Sequence, residues 1–390
     1  MKRKLIYLDH ASTTPLTKNV LNDINSANIK YWGNVSSTHK FGIECSTKLE
    51  KVRNEIASIF NAKTENIIFT SGATESIAIV FSSLEYFTKP YSIITSKLEH
   101  QATNIALRKY MKQGWEVSML PLDNQGIVKK ELLDNYFNEK VKLVSVIWGQ
   151  SEIGTVQPIL SIGKKCKLYN VPFHIDATQI ISNGIFDWKE LNCDFLSLSA
   201  HKFGGPKGIG ILITNIDSSK LIRNEEISLT QEYSIRAGTQ PLPLIIGMLT
   251  ALKNIKNKII IKDDITIFKS KKLNILQKYM LDKFIDNSNI EIIGSIKNRL
   301  PNHLSFILLN KDREPIKAFK IINFMSENGI AISSGSACSS SSKKPSIALY
   351  NIGIEEQKLY SNIRISFSND NTFEELDIFY NLLLECIDIF

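Results

Sequence analysis

The chain has 390 residues, is 43% hydrophobic and carries a formal net charge of +8. That length and apolar content support a large core and two domains, which excludes a disordered or disulfide-stapled small protein. The lysines are spread along the whole chain and Ile and Asn are abundant. The positive charge therefore reads as a solvated surface, and no direct nucleic-acid binding is expected.

The opening MKRKLIYLDH has basic residues but no long apolar run behind them, so no signal peptide is expected. No stretch approaches the roughly 20 apolar residues of a membrane span. The five cysteines (Cys45, Cys166, Cys193, Cys338, Cys386) are scattered without paired spacing. No metal site and no disulfide scaffold is expected, and a reducing compartment, cytoplasm or organelle matrix, fits.

Residues 1–15 contain a Pro and a polar turn. NIIFT (66–70) then reads as a buried strand. TSGATES (70–76) follows it before a helical pattern over 74–86, where Ala73 and Thr74 can offer backbone N–H groups and a hydroxyl to a phosphate. A Ser/Thr pair before a helix serves equally as an ordinary N-cap. The strand YSIITS (91–96) leads to His100, an imidazole able to stack on a ring and move protons, or a structural histidine, and then to helical periodicity over 101–113.

VKLVSVI (141–147), a helix over 158–169, PFHIDA (172–177), DFLSLS (194–199) and GIGILIT (208–214) continue the strand–helix alternation. Such alternation means a mostly parallel sheet covered on both faces. HIDATQ places Asp176 and Gln179 at one strand end, and SAHK places Ser199, His201 and Lys202 at another, before FGGPKGIG. A lysine so placed can form an imine with an aldehyde cofactor. Asp176 can keep a pyridine nitrogen protonated, and Gln179 can bond a ring oxygen.

From about residue 258 the pattern becomes a long Lys/Ile-rich helix, then shorter strands at 303–309 and 362–367 and two more helices, a second and smaller α/β domain. Within it, residues 333–342 read SSGSACSSSS around Cys338. Small polar residues bury little apolar surface, so this stretch is expected to be exposed. By itself it is equally a mobile loop presenting a nucleophile or a Ser-rich linker.

Taken together, YLDHASTTP (7–15), TSGATES, the His100 segment, SEIGTVQP (151–158), HIDATQ, SAHKFGGPKGIG, RAGTQP (236–241) and SSGSACSS (333–340) resemble the NifS/IscS group of cysteine desulfurases. These are fold-type I pyridoxal-phosphate enzymes of the class V aminotransferase superfamily, and the longer loop around GSAC is similar to their group I. The resemblance implies a large pyridoxal 5'-phosphate-binding domain at 16–257. A small domain would comprise 1–15 and 258–390 and carry the cysteine loop. It implies that Lys202 holds the cofactor covalently and later acts as a mobile base. Asp176 would pair with the ring nitrogen and Gln179 with the phenolic oxygen, beside Ser151, while His100 stacks above the ring. Ala73, Thr74, Ser199 and His201 would bind the phosphate, with Thr239 reaching over from a second subunit of a homodimer. Arg364 and Asn34 would bind L-cysteine, Arg364 through the carboxylate. Cys338 would take the sulfur as a persulfide, leaving L-alanine, and pass it to a sulfur-acceptor protein.

This chain departs from the family pattern in places. Ser151, preceded by Gly149 and Gln150, stands where Asn is usual. SLTQE (228–232) replaces GGGQE, Tyr233 and Ser234 replace Arg-Gly, and Val35 replaces a Pro. The chain stops at Phe390, soon after the last predicted helix, whereas longer relatives continue into a tail that docks an iron–sulfur scaffold protein. Acceptors in iron–sulfur assembly and in nucleic-acid thiolation both stand. A degenerate dimeric paralogue acting as scaffold or regulator, and a selenocysteine lyase or other class V enzyme, are the competing readings.

Overall fold

The computed structural model describes residues 5–216, 231–335 and 345–390. A short strand β1 (Ile6–Tyr7) precedes helices α1 (Lys18–Lys30) and α2 (Lys40–Ile59). Then come β2 (Ile67–Thr70), α3 (Ala73–Ser82), β3 (Ser92–Ser96), α4 (Gln101–Lys112), β4 (Glu116–Leu120), β5 (Val141–Ile147), α5 (Ile159–Leu168), β6 (Phe173–Asp176), β7 (Phe195–Ser199), β8 (Gly210–Thr214) and α6 (Leu242–Asn254). The strands make a seven-stranded sheet in the order β2-β8-β7-β6-β5-β3-β4. Only β8 runs antiparallel to its neighbours.

These strands are apolar throughout because both faces are covered, yet their side chains still alternate between two cores. Phe69, Leu196, Leu198, Ile211 and Ile213 enter the cluster that includes Val52, Ile162 and Met248. Ile68, Phe195 and Leu212 enter the opposite cluster with Phe81 and Leu107. Strand β4 escapes the sequence pattern because it forms the sheet edge and most of its side chains are only partly buried.

The expected long helix from residue 258 begins later than predicted. Residues 259–268 form a hairpin, β9 (Ile259–Lys262) and β10 (Ile265–Phe268), and the helix α7 runs over Lys271–Ile285. The physical reason is the turn: Asp263 and Asp264 both take positive φ (49° and 66°), the geometry of a two-residue hairpin, between β-branched runs. Then follow β11 (Ile290–Ile292), β12 (His303–Leu308), α8 (Ala318–Glu327), β13 (Ile330–Ala331), β14 (Ser333–Ser334), α9 (Ile347–Asn351), β15 (Asn362–Ser366) and α10 (Phe373–Ile389).

A second sheet of four strands, β11-β12-β15-β14, packs Phe306, Ile363 and Ile365 against Leu276, Phe284, Phe379 and Leu383 of the helices. Strand β1 pairs in parallel with β13, and Asp9 bridges to Ser366. Residues 5–14 therefore join this second layer before the chain enters α1. Among the described residues, no helix is long and apolar enough to cross a membrane.

Candidate active site

Strands β2, β3, β5, β6 and β7 end on the same edge of the large sheet, where the turns beyond parallel strands leave room for a ligand. Most of the predicted residues sit in or just after those turns. Asp176 ends β6, 3% exposed, and its Oδ1 accepts from the Thr178 N–H at 3.0 Å. Ser199 ends β7, and a single 3-10 turn over Ala200–Lys202 follows. Thr70 ends β2, paired with Gly210, which is paired on its other side with Ser199. A Cβ on Gly210 would stand 2.6 Å from Gly72 Cα and 2.6 Å from Leu198 O. The bare backbone of Gly210 is what lets the 70–74 turn lie beside Ser199.

Residues 11–14 fasten these turns together. Lys202 Nζ donates to the carbonyls of Ala11 (2.7 Å) and Ser12 (2.9 Å), and Gln179 Nε2 donates to the same Ala11 carbonyl (3.0 Å). The lysine and the Asp176–Gln179 turn thus converge on one backbone oxygen. His201 Nδ1 lies 3.2 Å from Thr13 Oγ1. Burial, with Lys202 and Lys207 nearby, pushes His201 down to about 4, so it is neutral at pH 7.

His100 caps α4: its Nδ1 accepts from the Ala102 N–H at 3.2 Å, which leaves Nε2 to carry the proton. Helix α3 starts at Ala73 and Thr74 with no side-chain cap at Gly72. Those first-turn N–H groups face the positive end of the helix, the arrangement that suits a phosphate.

Arg364, on β15, is brought to the same place from the second sheet. Its Nη2 donates to Asp9 Oδ1 (2.8 Å) and Ser12 Oγ (2.6 Å), and its Nη1 to the Ser151 carbonyl (3.0 Å). Ser151 thus contributes its backbone oxygen to Arg364. Two predicted residues stand apart from this cluster among the described residues. Asn34 is exposed in the turn before α2 and spends its Oδ1 on Ser36 N–H. Thr239 is exposed beside Gly238 ahead of α6. Cys338 and residues 228–230 lie outside the described residues.

The structure adds acids that the motifs do not single out. Glu99, 7% exposed, accepts from Ser96 Oγ (2.6 Å) and the Ile147 N–H (2.9 Å). Burial, reinforced by Asp176, pushes its carboxyl up to about 8. Glu152 accepts from Ser346 Oγ at 2.7 Å, and burial raises it while Arg364 and His100 oppose the rise. Glu99 adjoins His100 and bonds nearby Ser96, but the Ile147 N–H that completes its setting, and the Ser346 hydroxyl on Glu152, come from distant chain.

The profile of the aminotransferase class-V family matches residues 6–379. The chain belongs to that family. Within it, the full-length likeness is to cysteine desulfurases. A relative named cysteine desulfurase IscS from Dictyoglomus turgidum is 36% identical over 391 residues, covering 100% of this chain and 95% of its own length. The IscS-named relative from Neisseria meningitidis is 33% identical, covering 97% of this chain and 91% of its own. A solved structure described as a NifS-like protein superposes with a TM-score of 0.86 at 30% identity, covering 99% of this chain and 100% of its own. Another, described as SspA in complex with cysteine, gives 0.79 at 28% identity over 94% of this chain and 100% of its own.

Proposed function

We propose that this enzyme, a cysteine desulfurase, works with pyridoxal 5'-phosphate held by Lys202 and delivers sulfur through a persulfide on Cys338. The observation that carries the reading is the convergence of Lys202 and the Asp176–Gln179 turn on the Ala11 carbonyl, with Arg364 clasped to Ser12 one residue on. The donor set fits the cofactor. Asp176 is a buried carboxylate for a ring nitrogen, and Gln179 an amide for the phenolic oxygen. Ser199, the neutral His201 and the uncapped start of α3 at Ala73 and Thr74 suit a dianionic phosphate. Thr239 of a second copy would complete that cradle in a homodimer. The division into 16–257 and the remainder belongs to this same reading.

When bound, the cofactor supplies an electron-withdrawing ring that weakens bonds around the substrate's α and β carbons. The chain's residues do the rest. Arg364 holds the L-cysteine carboxylate, with Asn34 as its proposed companion. Lys202 Nζ, once freed, takes the α-proton, and His100 Nε2 would hold or give a proton above it. The Cys338 thiolate attacks the substrate sulfur: an S–S bond forms, the Cβ–S bond breaks, and the carbon gains a proton to leave as L-alanine. A Ser-rich segment suits a thiol that must then carry the sulfur outward to an acceptor protein, in iron–sulfur assembly or nucleic-acid thiolation.

The test is intact-mass measurement of purified protein after L-cysteine is added. Cys338 is expected to gain one sulfur atom. Cys338→Ala is expected to keep the cofactor absorbance and lose sulfur transfer. A C338A protein that still forms a persulfide would overturn the assignment, and a colourless wild-type protein would favour a scaffold role.

A further inference from the structure

The Ser151 carbonyl is held by two donors from the second sheet, Arg364 Nη1 at 3.0 Å and His303 Nε2 at 2.9 Å. His303 opens β12, is fully buried, and sits opposite Ser366 on β15. Because a carbonyl can only accept, Nε2 carries the proton toward Ser151. Burial beside Arg299 and Arg364 pushes the imidazole well below its ordinary range, so the ring is neutral and Nδ1 is a bare acceptor.

What meets that acceptor is a second buried arginine. Arg299 is 4% exposed and, among the described residues, pairs with no carboxylate. Its Nε donates to the Ser295 carbonyl at 2.7 Å and its Nη2 to the Ile293 carbonyl. Its Nη1 and His303 Nδ1 are both buried without a hydrogen-bond partner among the described residues. The two atoms converge over Gly154: a Cβ there would stand 2.5 Å from His303 Nδ1 and 2.9 Å from Arg299 Nη1. A donor and an acceptor that lack other partners thus face one small gap.

We propose that His303 is a positioning residue for recognition of the substrate carboxylate: it clamps the Ser151 carbonyl that orients Arg364, with Arg299 Nη1 facing the other ring nitrogen across the gap over Gly154. Arg364 is committed to the scaffold through Nη1 and Nη2, while its Nε is buried without a partner among the described residues. An arginine fixed in this way meets a carboxylate without first paying side-chain entropy. This inference rests on the reading that Arg364 binds the substrate.

The test uses the holoenzyme carrying His303→Leu, His303→Asn, His303→Gln or Arg364→Lys. Gln keeps an amide N–H toward Ser151 and an oxygen toward Arg299, Asn is too short to keep both, and Leu keeps neither. Alanine release gives KM and kcat for L-cysteine, calorimetric titration gives the affinity for product L-alanine, and absorbance gives cofactor loading. For Leu and Asn we expect KM and the L-alanine Kd to rise about five- to tenfold with kcat and loading within about twofold, and Gln to stay near wild type. Combined with R364K, the H303L loss is expected to shrink rather than multiply. If H303L does not fold, H303N carries the same expectation. Unchanged KM and L-alanine affinity in the Asn variant, or equal losses in Gln and Asn, would overturn the proposal. If R364K leaves both quantities unchanged, the substrate-site reading itself fails. If R364K raises both while the His303 variants do not, only the positioning role fails.

Discussion

Glu99 shows how a buried acid can record its surroundings as a dependence of stability on pH. Its folded value near 8 lies above the ordinary 4.5, so between those pH values the folded protein keeps a proton that the unfolded chain has shed. Its contribution is full below pH 4.5 and is lost as pH rises toward 8, at up to about 1.4 kcal/mol per pH unit. His174, held between Ser145 Oγ and Ser197 Oγ, and His201 both fall to about 4 from 6.5, so they cost stability only as pH drops below 6.5. The window from 6.5 to 8 therefore lies clear of both histidines and within the span over which Glu99 loses its contribution. Chemical denaturation of Glu99→Gln is expected to show a flatter loss of stability across that window than wild type. Equal slopes would mean that Glu99 is ionised in the fold. The sequence displays a glutamate beside His100, but its burial between the ends of β3 and β5 depends on chain brought from elsewhere.

At the scale of elements, the site depends on how closely β2, β8 and β7 approach. Gly210 is the middle residue of the Thr70–Gly210–Ser199 row, and a Cβ there meets backbone that cannot rotate away. Gly210→Ala is expected to cost about 1–3 kcal/mol. It is also expected to weaken cofactor retention, because it pushes the start of α3 from Ser199. Thermal melting together with absorbance after dialysis checks both. Melting loss with full retention would show that the phosphate end tolerates the shift. The strands themselves were legible, since buried parallel strands are continuous apolar runs. The hairpin at 259–268 was not, because its two β-branched runs are only four residues long and sit in a Lys/Ile-rich stretch that continues into α7, so the Asp263–Asp264 turn alone marks the break.

For the whole molecule, residues 6–14 are the clasp. They pair with β13, bridge Ser366, and give Asp9 and Ser12 to Arg364. Next they give the Ala11 and Ser12 carbonyls to Lys202 and the Thr14 Oγ1 to Gly204. Asp9→Ala leaves the Arg364 guanidinium, 4% exposed, without its carboxylate. Unfolding free energy is expected to fall by about 2–4 kcal/mol, and KM for L-cysteine to rise more than kcat falls. A variant with unchanged KM would show that Ser12 and Ser151 suffice to aim Arg364.

Lys202, Asp176, Gln179, His100, Ser199 and Ala73 stand out as candidates in the chain alone because chemistry at strand ends leaves short motifs, and motifs are local. The sequence also determined the alternating α/β order and the family. The three-dimensional arrangement decided which distant residues serve those motifs: Asp9 under Arg364, Ala11 between Lys202 and Gln179, and Arg299 and His303 behind Ser151. Such pairings join segments more than a hundred residues apart. They have no local signature, because buried donors and acceptors are matched only when the two sheets pack together.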